Sequence, residues 1–228
     1  MLEELKEAVL QANLALPRAG LVRLTWGNVS GRDPATGLVV IKASGVPYGE
    51  MGLGDMVVVD EKGKTVEGGR RPSTDTPTHL GLYQGLPVGA VVHTHSTWAT
   101  AWAQAGREIP VLGTTHADLC PGPVPLTKEM SPEQVEEGYE EQTATVIMEA
   151  VGGRPPEEVP AVLVRGHGPF CWAASPAKAV ETAEVLESVA EMAWLTLVLE
   201  RQAPALPGHV VARHFTRKHG PGAYYGQN

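Results

Sequence analysis

Apolar positions at the start of the chain recur at helical spacing. Leu2, Leu5, Val9 and Leu10 share a face over residues 2–16, and Pro17 is expected to close this helix. A turn-rich stretch, LTWGNVSGRDPATG, follows. The pattern then changes. LVVIKASG (38–45) and DMVVVDEKGK (55–64) are rich in β-branched residues and run into glycine-containing turns, which predicts strands. Thr76-Pro77 predicts an N-cap and the first residue of a short helix. GAVVHTH (89–95) predicts another strand, after which Ser96 can cap a helix to about Gln104. SPEQ at 131–134 carries a capping box: Ser131 caps, Pro132 opens and Gln134 reaches back, with the helix expected to run to about Ala150. PAVLVRG (160–166) predicts a buried strand. Ser175-Pro176 opens the longest helix, to about Arg201. Val185, Val189 and Met192 lie on one of its faces, with Leu186, Ala190 and Ala193 beside them. The tail, RHFTRKHGPGAYYGQN, is polar, basic and aromatic.

Strands interleaved with helices predict the α/β class. Some strands have no helix between them, so a mixed sheet covered on both faces is expected. Neither a repeat nor a linker divides the sequence, and a single domain over 1–228 is the expectation. Composition agrees: 43% hydrophobic and 19% charged residues supply an ordinary core. A net charge of −8 disfavours nucleic acid and anionic membranes as partners, whereas a small anionic substrate would need a local set of donors. Cys120 and Cys171 have neither metal-site spacing nor a disulfide framework, which fits a reducing cytoplasm. Glu3, Glu4 and Glu7 occupy the region where a secretory signal would be basic and then apolar.

The densest candidate chemistry is GAVVHTHSTWAT (89–100). On a strand, residues i and i+2 project to the same side, which sets the His93 and His95 Cα atoms roughly 6–7 Å apart. Two such rings can converge on one cation, or one can pack in the core while the other meets solvent. His167, between Gly166 and Gly168 directly after a strand, can supply a third ligand, and Asp75 a carboxylate or merely a helix-end charge. Three imidazoles and one carboxylate suit zinc, manganese or cobalt. WGNVSG (26–31), KASG (42–45) and PSTD (72–75) are short turns with donors for an oxyanion, or plain turns.

Together LTWGNVSG, IKASGVPY, PSTDTPTH, VVHTHS, GTTHAD, GHGPF and HGPGAYYGQ resemble the class II aldolase/epimerase family along the whole chain. The resemblance implies a three-layer α/β/α sandwich around a mixed, mostly antiparallel nine-stranded sheet. It implies a homotetramer with active sites between neighbouring subunits. It assigns His93, His95, His167 and Asp75 to a divalent metal, most readily zinc. Gly27, Asn28, Ser44, Gly45, Ser73 and Thr74 fall on its substrate positions. Asp118 and Tyr225 fall on its acid–base positions, with Tyr225 supplied by the adjacent subunit. His214 stands in reserve.

The implied activity is 4-epimerisation between L-ribulose 5-phosphate and D-xylulose 5-phosphate, as used in arabinose catabolism. The C4–H bond of a 2-ketopentose phosphate is not adjacent to the carbonyl and is not acidic. Inversion therefore calls for retro-aldol cleavage of C3–C4 and re-addition to the other aldehyde face, with an acid–base group on each side. A class II sugar-phosphate aldolase of the L-fuculose-1-phosphate type is the alternative. By resemblance, those enzymes place Glu where Asp75 stands. Trp98 and Arg165-Gly166 are departures from the family pattern beside the ligand positions.

Overall fold

The computed structural model describes residues 2–220 and 222–225. In chain order the elements are α1 (Glu3–Arg18), β1 (Asn28–Arg32), β2 (Val39–Lys42), β3 (Met56–Val59), β4 (Thr65–Glu67), α2 (Thr76–Gly85), β5 (Ala90–His93), α3 (Thr97–Gln104), α4 (Thr114–Leu119), α5 (Pro132–Val151), β6 (Ala161–Val164), β7 (Gly168–Ala173), α6 (Pro176–Leu199) and α7 (Gly208–Lys218). The strands form one seven-stranded sheet in the order β4-β3-β2-β1-β5-β7-β6. Every strand pair in it is antiparallel. The nine strands implied by the resemblance are thus seven among the described residues. Outside the named strands there are isolated bridges: Ala43 with Pro72, Ile109 with Val124, and a parallel one between Leu126 and Leu163. Pro72 and the prolines flanking Val124 lack the N–H with which to extend these bridges into ladders.

Helices α1, α3 and α6 cover one face of the sheet and α2 and α5 the other, giving three layers. Apart from the exposed edge strand β4, the strands are buried, and β2, β3, β5 and β6 are buried throughout. That is why they read as continuous apolar runs and not as alternating ones. Asn13 fixes α1 to β1: its amide donates to the Val9 and Val29 carbonyls and its oxygen accepts from Val29 N–H. This bond set holds the start of β1, and with it Gly27 and Asn28, against the helix.

The predicted elements are largely present, with instructive differences. The first helix runs through Pro17 to Arg18. It ends at Gly20 and Leu21, whose N–H groups bond back to the Pro17 and Leu16 carbonyls. A proline in the last turn loses one bond, and this glycine closure compensates. The capping box at Ser131 and Gln134 has both of its bonds, at 3.3 and 3.0 Å. Ser96 stands at the α3 N-cap but its side chain makes no cap bond. The Glu187 carboxylate of α6 accepts from Trp98 N–H and Ala99 N–H instead, at 2.7 and 2.9 Å. Five elements were not foreseen, among them the short β4 after the DEKGK turn. The stretch read as turns contains β1; GPFCWA forms β7; GTTHAD lies on α4; and α7 starts at Gly208 and takes in the first part of the polar tail.

Candidate functional site

His93 ends β5, and His95 follows it two residues later, just outside the strand. β1 and β7 flank β5, pairing Asn28 and Phe170 with His93. The His93 ring stacks on Phe170 with centroids 4.2 Å apart. His167 sits on the turn between β6 and β7. The three imidazoles surround one point: ring centroids are 4.9, 4.7 and 4.9 Å apart, and one ligand atom from each lies within 4.8 Å of the others.

These rings fit a cation by the chemistry of their donors. His93 Nδ1 lies 3.0 Å from the Pro169 carbonyl, which can only accept, so Nδ1 carries the proton and Nε2 is left bare. That Nε2 faces His95 Nε2 at 3.1 Å. His167 Nδ1 lies 3.2 Å from the Tyr139 hydroxyl, which leaves its Nε2 for the cluster. Burial lowers His93 to about 3; the Asp75 charge opposes this and the two other histidines reinforce it. Burial likewise lowers His95 and His167. Neutral rings with inward lone pairs are what a borderline-soft divalent ion requires.

Asp75 stands at the entrance to α2, outside the three-histidine group. Its carboxylate accepts from Asn28 Nδ2 at 2.6 Å and from Ser73 Oγ at 3.4 Å. Burial works against its charge, but His93, His79, the Asn28 hydrogen bond and His167 together hold the carboxyl below the ordinary range. The three donor turns meet here. Ser73 N–H bonds to the Lys42 carbonyl and Ser44 N–H to the Arg71 carbonyl, which lays the Ser44-Gly45 and Ser73-Thr74 turns side by side. Asn28 Nδ2 reaches Ser73 Oγ at 3.0 Å and joins the third. Asn28 Oδ1 is buried without a partner among the described residues. Gly27 has φ +84, and a Cβ there would stand 2.8 Å from the His93 carbonyl oxygen. Only glycine allows β1 to begin this close to the His93 backbone. The fully buried Lys42 ammonium lies beside these turns, 5.6 Å from the Tyr48 ring centroid; burial lowers its pKa while Asp75 and Asp55 oppose that shift.

Asp118 and Tyr225 are elsewhere. Both line a cavity of about 680 Å³ together with Val88, Ala173 and Ala174, at the start of β5 and the end of β7. The histidines occupy the opposite end of those strands. From Ala90 to His93 alone the separation is about 10 Å at the strand rise. Asp118 is already engaged. Arg217 Nε and Nη2 grip its carboxylate at 3.0 and 2.6 Å, and His214 Nδ1 lies 3.1 Å from Oδ1. His219 Nε2 meets its carbonyl at 2.9 Å. Burial would raise the Asp118 carboxyl, but the hydrogen bonds from Arg217 and His214 outweigh it and hold it low. The Tyr225 ring lies under Arg217 at 4.6 Å and Lys218 at 4.8 Å. Gly226 and Gln227 of the terminal motif lie outside the described residues.

Trp98 packs against Trp194 of α6 at 5.3 Å, on the face of the sheet away from His93, so it does not support the ligands. The residue missed from sequence is Tyr139, at His167; His214, held in reserve, and Arg217 were visible in the tail, but their joint engagement of the Asp118 carboxylate was not. Gly138 within a helical stretch was the only local hint of the first. A basic tail was the only hint of the second.

The family described as class II aldolase and adducin N-terminal domain matches residues 7–194. The L-ribulose-5-phosphate 4-epimerase UlaF of Salmonella paratyphi C (strain RKS4594) is 53% identical over 227 residues, covering 99% of this chain and 100% of that protein. Among solved structures, an L-fuculose 1-phosphate aldolase superposes with a TM-score of 0.79 at 26% identity, over 94% of this chain and 95% of the other. The L-fuculose 1-phosphate aldolase from Glaciozyma antarctica PI12 gives 0.78 at 18% identity, over 97% and 84%, a likeness of fold. By the extent of the family match and of the sequence identity, the chain belongs to the class II aldolase and adducin N-terminal domain family.

Proposed function

We propose that this protein is a metal-dependent epimerase that interconverts L-ribulose 5-phosphate and D-xylulose 5-phosphate. The observation that carries the reading is 53% identity, end to end, with an L-ribulose-5-phosphate 4-epimerase. The convergent imidazoles of His93, His95 and His167 support it. These three, with Asp75 as the carboxylate, would hold the cation, with zinc favoured and manganese or cobalt next. A divalent cation there would act as a Lewis acid toward the negative charge of the three-carbon fragment released by C3–C4 cleavage.

The remaining work falls to the chain. Ser44, Gly45, Ser73 and Thr74 would hold the substrate phosphate through backbone N–H and hydroxyl donors, with Gly27 and Asn28 beside them. Lys42 would supply positive charge. Keeping glycolaldehyde phosphate bound while it turns its other face distinguishes epimerisation from release. Asp118 and Tyr225 would move the C4 hydroxyl proton on opposite faces. Because both are remote from the histidines of their own chain, both would reach them from one neighbouring subunit. Exposed Met192, Trp194, Leu195, Val198 and Leu199 on the last turns of α6 favour assembly, since a soluble monomer rarely leaves so much apolar surface on one segment. A homotetramer is the proposed state. None of the described helices is long and apolar enough to cross a membrane, and both cysteines are buried and free, in keeping with a cytoplasmic enzyme.

A sugar-phosphate aldolase is the second reading, favoured by the 0.79 superposition on an L-fuculose 1-phosphate aldolase. One assay separates the two. Each pentulose phosphate is incubated with enzyme, with and without chelator. Interconversion that stops on chelation and returns with added zinc, manganese or cobalt is expected. Stoichiometric accumulation of free glycolaldehyde phosphate would make the enzyme an aldolase.

A further inference from the structure

We infer that Tyr139 is a positioning residue for His167: its hydroxyl accepts the Nδ1–H of that imidazole and so selects the tautomer whose Nε2 is free to bind a cation. The inference rests on the cation site proposed above. His93 owes its orientation to the Pro169 carbonyl and to stacking on Phe170. The His167 ring has no such backbone acceptor, and Phe170 meets it only edge-on, with centroids 6.2 Å apart. His167 sits between Gly166 and Gly168 on a turn, and its backbone N–H is used by the Val164 carbonyl. The described hydrogen bond of its ring is the one to Tyr139 Oη, at 3.2 Å.

A hydroxyl can donate or accept, so the direction follows from the cluster. Were Tyr139 the donor, the imidazole proton would sit on Nε2 and point at the other two rings, and no lone pair would be left for an ion. With Nδ1–H donating, Nε2 is bare. The Tyr139 hydroxyl proton is then not used by His167 and remains for another acceptor at the site.

The backbone is bent to achieve this. α5 breaks at Gly138, with φ 154 and ψ 92, immediately before Tyr139. A Cβ at 138 would stand 2.8 Å from Glu141 Oε2, in a backbone region that other residues rarely enter. The segment after the break is tied down on both sides. Thr143 Oγ1 donates to the Tyr139 carbonyl at 2.7 Å, and Thr78 Oγ1 of α2 donates to the Glu140 carbonyl at 2.7 Å. The second bond links the break to the helix that opens with Asp75. A tyrosine placed only to fill space would need neither the break nor the second tie.

The test is cation binding to Tyr139→Phe, which keeps the ring and removes the oxygen. Metal-free wild type and variant are titrated with Co2+ in competition with a chromophoric chelator, and the visible Co2+ absorption is recorded. The expected result is affinity lower by about 10–100-fold, with an altered absorption band and an unchanged unfolding temperature of the metal-free protein. Affinity within twofold of wild type, with the same band, overturns the inference and leaves the cation site standing. Wild type that binds no Co2+ overturns the site itself. Gly138→Ala is the second variant, expected to weaken Co2+ in the same direction by moving Tyr139. Unchanged affinity there would also count against the role.

Discussion

The two ends of β5 carry opposite electrostatics. At the His93 end, three neutral imidazoles turn lone pairs toward one another, and the nearest carboxylate, Asp75, is bound by an amide and a hydroxyl. At the other end, Asp118 is saturated by a guanidinium and an imidazole, and Tyr225 lies beneath Arg217 and Lys218. The first end has unmet acceptors and calls for a cation. The second is already neutralised and offers donors and positive charge to an anion arriving from outside. Neither holds what aldol chemistry on a sugar phosphate needs. Together they do, which argues for one site built from two chains.

Substitutions at the two ends should therefore fail differently. His93→Ala should have the largest effect, a loss of activity on the order of 10⁴-fold together with loss of bound metal by elemental analysis, since Lewis-acid stabilisation supplies several kcal/mol. An active, metal-loaded variant would remove the histidine end from the account. Asp118→Asn should lower kcat by about 10³-fold and Tyr225→Phe by about 10²-fold, both with full metal content, in the range of acid–base groups. Metal loss in either would mean that the two ends are not separate in function. Gly27→Ala should be felt as stability, because the new Cβ meets the His93 carbonyl oxygen. About 2 kcal/mol, or a melting temperature lower by about 5 °C, is expected by scanning calorimetry.

The smallest effect is a pH dependence. The Asp118 carboxyl is held below its ordinary value of 3.8, so its pairing contributes stability that is present above that value and lost as the pH falls through the lower folded-state value. Asp118→Asn should cost about 2 kcal/mol at pH 7, and the gap to wild type should close on acidification below about pH 4. A gap that stays constant between pH 7 and pH 3 would contradict the ion-pair reading.

How much of this was readable in the sequence depended on how local each signal was. The α5 start was legible to the residue, because a capping box is complete within SPEQ. The histidines were legible as a cluster from the close spacing of His93 and His95 and from the Gly-His-Gly turn, although β5 ends at His93, so strand alternation does not set the direction of His95. β1 was not, since Asn28 and Gly31 within it and Gly27 just before it favour turns; pairing with β2 and β5 on both sides makes it a strand. β7 opens with Gly-Pro and is buried on both faces, so no alternation marks it. The Glu187 cap on α3 and the Arg217 grip on Asp118 join residues roughly 90–100 positions apart, beyond any local pattern. The separation of Asp118 from the histidines was likewise invisible until the strands were laid in register.

The most direct test of the two-chain site is complementation. His93→Ala and Asp118→Asn, each inactive alone, are produced together in one cell and the mixed oligomer is assayed for interconversion of the pentulose phosphates. Each active site would take its histidine end from one chain and its acid–base end from another, so random assembly should restore about a quarter of wild-type activity. Mixed oligomers as inactive as their parents would contradict the account.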